Sequence, residues 1–357
     1  MPKIARDLFF SPLAGPRIVA IGGGTGLSTL LKGLKKFARF SRPTVGAGLS
    51  PLVDLTAVVT VTDDGGSSGR LRRELDMLPP GDIRNCMVAM SEDEALLSKL
   101  FQYRFQAGRG LKGHSFGNLF LTALTHLTGD FAQAVKLSSE VLSIGGHIYP
   151  STGANVGLRA HCEDGSVIAG ETNISRCRSP IRSIELEPRN VKPLKETLEA
   201  IRQADLVTLG PGSLFTSVIP NLLVDGVVKA LRRSPAVKVY FCNLMWQPGE
   251  TSRFKASDHV KAIHDHAGDK IIEYVVINTA PIAKPQRKRY ARELAMPVEN
   301  DIEQLEEMGL RVVTANLLGE SHMVRHDPDA SAAVALELAV EGRRRKAKAA
   351  SGSRMGS

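Results

Sequence analysis

Four segments of this chain combine residue types that handle phosphate. The first is Gly22-Gly23-Gly24-Thr25-Gly26-Leu27-Ser28, directly after the apolar run Arg17–Ile21. Glycines allow positive φ and let backbone N–H groups approach an anion closely. A helix starting there adds unpaired N–H groups and the positive end of its dipole, and Ser28 adds a hydroxyl. The spacing is not G-x-G-x-x-G, because Thr29 stands where the third glycine would be. It is not a Walker A loop either, since no Gly-Lys-Ser/Thr follows. The plainer alternative is a tight strand–helix turn without a ligand.

The second segment is Thr62-Asp63-Asp64-Gly65-Gly66-Ser67-Ser68-Gly69-Arg70, again after an apolar run. Three readings of the acids stand side by side. An acid there binds ribose hydroxyls in dinucleotide folds, Asp63 and Asp64 would suit Mg²⁺ beside phosphate oxygens, or the pair forms an Asx-turn with an N-cap. The glycines and Ser67 suggest a second anion nest.

Leu78-Pro79-Pro80-Gly81-Asp82-Ile83-Arg84-Asn85 and Gly113-His114-Ser115-Phe116-Gly117-Asn118 make the third set. Arg84 is a candidate phosphate clamp through its bidentate guanidinium. Asn85 and Asn118 would read a base or sugar, and Asp82 reads as a helix N-cap. His114 is a candidate acid or base, though a lone histidine is more often structural. The fourth segment is Gly210-Pro211-Gly212-Ser213-Leu214-Phe215-Thr216-Ser217, a second phosphate-type loop at a strand's C-terminal end. Asn243, ending a later strand, would face the same crevice, with Trp246 near its rim. His264-Asp265-His266 is set aside, because alternate residues of a helix do not share a face.

These loops need a scaffold, and the patterning supplies one. Buried strands are expected at 17–21, 55–61, 205–209, 238–244, 272–278 and 311–316. Helices fall between them at 28–40, from Asp82, and at 92–105, 117–128, 130–142, 193–203, 256–267, 300–308 and 329–348. Residues 148–187 alternate instead, and Asp164-Gly165 marks a hairpin. The fold class is therefore α/β: a Rossmann-like, doubly wound, mostly parallel sheet with a small antiparallel β insertion at about 148–187. Residues 1–16 read as an N-terminal extension, 17–341 as the α/β domain and 342–357 as a basic disordered tail.

Composition narrows the class. The 357 residues are 43% hydrophobic and 23% charged, enough for a sizeable core. No apolar run reaches transmembrane length, and Leu8-Phe9-Phe10 is too short for a signal peptide. The four cysteines (Cys86, Cys162, Cys177, Cys242) form no C-x-x-C pair and read as reduced thiols of a cytoplasmic protein. The formal charge is +9, but Arg343, Arg344, Arg345, Lys346, Lys348 and Arg354 supply six of it, leaving +3 for the body. That near-neutral body speaks against a nucleic-acid binder.

Taken in order, IGGGTGLS, VTVTDDGGSSGRLRRE, LPPGDIRNC, LFQYRF, GHSFGNL, LGPGSLFTSVIPNLLV and CNLMWQPGET resemble the bacterial gluconeogenesis-factor family, a branch of the CofD-like (2-phospho-L-lactate transferase-like) superfamily, from about residue 17 to 340. The resemblance implies a cytoplasmic, often homo-oligomeric protein that binds nucleotide-sugars such as UDP-N-acetylglucosamine without an established reaction. It implies a role in cell shape and wall-precursor supply on gluconeogenic carbon sources, through a protein partner in wall synthesis. It also implies a tyrosine and an arginine brought to the ligand from the C-terminal third; the matching segments make these Tyr290 and Arg325. Tyr290 would stack on uracil and Arg325 would pair with pyrophosphate. Two positions depart from the pattern: Pro150–Asn155 lacks an acidic pair, and Trp246 stands where threonine is usual. The alternative function is a Mg²⁺-dependent transferase of a phosphorylated group, with Asp63, Asp64 and His114 as its machinery. A nicotinamide oxidoreductase is the weaker third reading.

Overall fold

The computed structural model describes residues 15–38, 53–92, 96–177 and 179–354. The N-terminal extension, apart from residues 15 and 16, lies outside them. Seven parallel strands form the central sheet. Three come early: β1 (Arg17–Gly22), β2 (Asp54–Val59) and β3 (His147–Pro150). Three insertion strands follow: β4 (Gly157–Cys162), β5 (Val167–Ala169) and β6 (Ile181–Glu187). The sheet then resumes with β7 (Leu206–Leu209), β8 (Val237–Phe241), β9 (Tyr274–Asn278) and β10 (Arg311–Ala315). Its order is β10-β9-β8-β7-β1-β2-β3. β1 and β2 are buried at every residue but the first, as a sheet covered on both faces requires. Helices α1 (Gly24–Leu34), α2 (Gly66–Leu75), α3 (Gly81–Met90) and α4 (Phe116–Thr128) follow the first strands, and α1 packs against α3 and the long C-terminal helix.

This is the doubly wound α/β architecture expected from the sequence, including its antiparallel insertion. β4 pairs with β5 and β6, and Gly165 takes the left-handed conformation of the hairpin turn with φ +83°. The insertion is smaller than expected. Residues 147–150 are not part of it, because Ile148 and its neighbours pair in parallel with Thr56–Val59 and close the main sheet as β3. Among the described residues no single helix is long and apolar enough to cross a membrane.

The basic end is the larger correction. Instead of a disordered tail, one helix runs from Pro328 to Arg354. Arg345 donates to Glu273 at 2.8 Å and to the Tyr274 hydroxyl at 2.7 Å, and Lys346 reaches Asp205 at 2.9 Å. Glu341 on the same helix also pairs with Arg345, but Glu273 and Asp205 lie just ahead of distant strands, where local charge counting does not see them. Truncation after Gly342 is therefore expected to lower stability by about 1–2 kcal/mol, since these pairs are partly shielded rather than fully solvated. Thermal unfolding of the shortened chain measures it, and an unchanged midpoint would contradict the docking.

Candidate functional site

In an open α/β sheet the ligand crevice forms where successive strands depart to opposite sides. Here that point lies between β1 and β7, since the chain proceeds from β1 to β2 on one side and from β7 to β8 on the other. The first and fourth loops leave these two neighbouring strands. Gly210 N–H donates to the Ile21 carbonyl at 3.0 Å, which ties the strand ends together. The Gly210–Pro211 peptide is cis.

The loops touch. A Cβ built on Gly26 would stand 2.6 Å from the Pro211 carbonyl carbon and 2.7 Å from Gly212 Cα. Gly24 holds φ +60°, and with Gly26 it lies inside the first turn of α1 rather than ahead of it. The helix thus starts four residues earlier than periodicity suggests, because Gly24-Thr25-Gly26 carries no apolar side chain to register the pattern.

Gly23, Gly24, Thr25, Gly26, Pro211, Gly212, Ser213, Ser217, Asn243, Tyr290 and Arg325 line one cleft of about 350 Å³. Gly22 ends β1 and Gly210 follows β7, each next in the chain to a lining residue. Asn243 is held by Gln247 at 3.0 Å, and Gln247 donates to Ser213 at 2.6 Å. Trp246 sits on the rim, its indole N–H donating to the Phe254 carbonyl at 2.9 Å. Tyr290 is fixed from below, its hydroxyl accepting the Val324 N–H at 3.1 Å. Among the described residues Arg325 has no ion-pair partner.

Other candidates lie elsewhere. Ser28 turns back onto the Gly24 carbonyl at 2.8 Å, and with Asn85 it lines a neighbouring hollow. Asp64 is spent on the Thr172 N–H (2.9 Å) and hydroxyl (2.6 Å), and Asp63 accepts the Gly65 N–H at 2.9 Å. Each carboxylate thus engages one oxygen, Oδ1, with a neighbouring N–H, and among the described residues no group of three or more His, Cys, Asp or Glu is arranged to hold a metal. Ser67 bonds His114 Nδ1 at 2.9 Å, and Asn118 reaches Ser68 at 3.5 Å, so this expected nest is filled by protein groups. Arg84 donates to Asn85 at 2.6 Å outside the cleft. Thr216 is buried under the second loop.

Sequence reasoning misses an acidic set at the two loops: Asp82 and Glu171 are half-buried and line the cleft, and Glu250 is buried under the second loop. Asp82 is not an N-cap; Pro80 holds that position, and the Asp82 carboxyl turns inward under Gly23 and faces the Gly24 N–H. Burial, then the nearby Asp63 charge, pushes it up to about 7. Glu250 lies under the second loop, accepting from Phe215 N–H and from the hydroxyls of Thr216 and Ser175, each at 3.3 Å; burial raises it to about 7. Glu171, which accepts the Thr62 hydroxyl at 3.0 Å, is raised well above the carboxylate range by burial and by Asp82 and Asp63. Single acids in separate segments leave no local signal. His326 also lines the cleft, its Nε2 3.1 Å from the Cys242 carbonyl oxygen. Burial lowers it to about 4, so it is uncharged at neutral pH and Nε2 carries the proton that it donates to that oxygen.

Comparison with known proteins agrees with this architecture. Residues 18–318 match the family model described as 2-phospho-L-lactate transferase CofD. A protein named gluconeogenesis factor from Halalkalibacterium halodurans is 46% identical over 311 residues, 87% of this chain and 92% of that one. One of the same name from Bacillus subtilis is 46% identical over 327 residues, 91% and 99% of the two chains. A crystal structure of a Bacillus halodurans protein superposes with a TM-score of 0.85 at 45% identity, covering 90% of this chain and 99% of that one.

Proposed function

The chain belongs to the CofD family, among relatives named gluconeogenesis factor, and on that premise we propose that it is a nucleotide-sugar-binding regulatory factor. The ligand is of the UDP-N-acetylglucosamine type, and the protein serves cell shape and wall-precursor supply during gluconeogenic growth, through a protein partner in wall synthesis. The observation that carries the reading is the contact between two glycine-rich strand ends at the switch point, with Arg325 and Tyr290 lining the same cleft. Backbone N–H groups and a guanidinium without an ion-pair partner suit a diphosphate, and a tyrosine ring suits a pyrimidine.

Calorimetric titration with UDP-N-acetylglucosamine tests it. Arg325→Ala is expected to weaken binding about thirtyfold, the worth of one or two charge-assisted hydrogen bonds. No heat up to millimolar ligand would sink the proposal. The second reading, Mg²⁺-assisted transfer of a phosphorylated group, has the name of the family model in its favour. The commitment of Asp64 to Thr172 weighs against it.

A further inference from the structure

Beside the cleft lies a second hollow of about 690 Å³, and the two share Thr25, Thr29, Arg325 and His326. One wall is a single polar face of α1: Thr25, Ser28, Thr29 and Lys32 at helical spacing, continued by Lys35. Lys99 and Asn85 stand across it. Lys32 and Lys99 are exposed and, like Arg325, without an ion-pair partner among the described residues. Lys35 is engaged with the Ser91 carbonyl at 3.0 Å. Among the described residues the acids lining it are Glu320 and Asp327, and Asp327 is occupied in capping the Ala330 N–H at 2.7 Å. His326, uncharged at neutral pH, adds no positive charge.

We propose that this hollow receives the sugar of the bound nucleotide and selects sugars that carry an anionic substituent. The inference rests on the nucleotide-sugar reading of the neighbouring cleft. Arg325 belongs to both spaces, so a diphosphate on the glycine loops places base and sugar on its opposite sides. Tyr290 and Trp246 line only the first space, which leaves the lysine-lined one to the sugar. Lys32 lies eight residues beyond Gly24, about 12 Å along the axis. Side chains lean toward a helix's N-terminus, so its ammonium swings back toward the phosphate end and over the sugar. A neutral sugar offers Lys32 and Lys99 only hydroxyl or acetamide oxygens, which an ammonium binds less strongly than a carboxylate. A carboxylate on the ring accepts from both, in a hollow whose charge is otherwise only partly offset.

The anionic group has two chemical sources, a uronic carboxylate at C6 or a lactyl ether carboxylate at C3. Calorimetry at low salt with UDP, UDP-glucose, UDP-glucuronate, UDP-N-acetylglucosamine and UDP-N-acetylmuramate separates them. The expected result is at least tenfold tighter binding of one acidic ligand than of its neutral counterpart. Lys32→Gln or Lys99→Gln, both at exposed positions that spare the fold, should reduce that preference below threefold while UDP affinity holds. Equal affinity for acidic and neutral sugars, with UDP bound, overturns this inference and leaves the nucleotide reading standing. A preference that survives both substitutions overturns the assignment to this hollow. Failure of UDP itself to bind overturns both readings.

Discussion

Alanine at Gly26 is expected to remove nucleotide binding by roughly a hundredfold or more and to cost about 2 kcal/mol of stability, the range of an overpacked interior. The added methyl meets backbone, not a movable side chain: the Pro211 carbonyl and Gly212 Cα lie within 2.7 Å of its position. The two loops must therefore part. N–H groups aimed at one diphosphate would then miss it, and charge-assisted hydrogen bonds are worth about 1.5–3 kcal/mol each. Thermal unfolding and calorimetry separate the two effects. If the variant binds a UDP-sugar as tightly as the parent, the loops do not act as one cradle.

That cradle is half legible in the sequence. Apolar runs ending in glycines announce both loops, because a buried parallel strand and a close backbone approach each leave a local trace. Their adjacency leaves none, since it depends on β7 pairing with β1 across more than half the chain. The same distance hides the acids. Glu171 follows the insertion's hairpin and Glu250 follows Trp246, and neither segment carries a motif that points to the other. Asp63 and Asp64 are conspicuous in the sequence as a pair at a strand end, but the contact of Asp64 with Thr172, 108 residues away in the insertion, leaves no local trace.

The basic end shows how composition misleads. Six cations after Gly342 with no acid among them read as a solvated tail, but a helix can export its charge to partners on other elements. Arg345 meets Glu273 at the start of β9, and Lys346 meets Asp205 ahead of β7. The polar face of α1 is readable from spacing alone. It escapes notice because its threonines and serine look like ordinary helix surface until a hollow is seen beside them.

The buried acids make stability and binding depend on pH, with a definite sign. Asp82 and Glu250 titrate near 7 in the folded chain and near 4 when exposed. Between those values the folded state holds more protons than the unfolded one. Stability therefore falls as pH rises from about 4 to 7, and is lowest once both groups are ionised. Raising a carboxyl's titration midpoint by one pH unit on folding corresponds to about 1.4 kcal/mol. Asp82→Asn keeps an oxygen for the Gly24 N–H and removes the charge. It is expected to raise stability at pH 8 by about 2 kcal/mol and to flatten the pH profile. The ligand adds a second effect. A diphosphate above Asp82 disfavours its ionised form, so binding takes up a proton above pH 7, and affinity should drop by up to about tenfold per pH unit there. Calorimetry in buffers of different ionisation enthalpy measures that uptake. Affinity that stays flat from pH 6 to 9, in the parent and in Asp82→Asn alike, would show that the acid layer supports the loops without sensing what they hold.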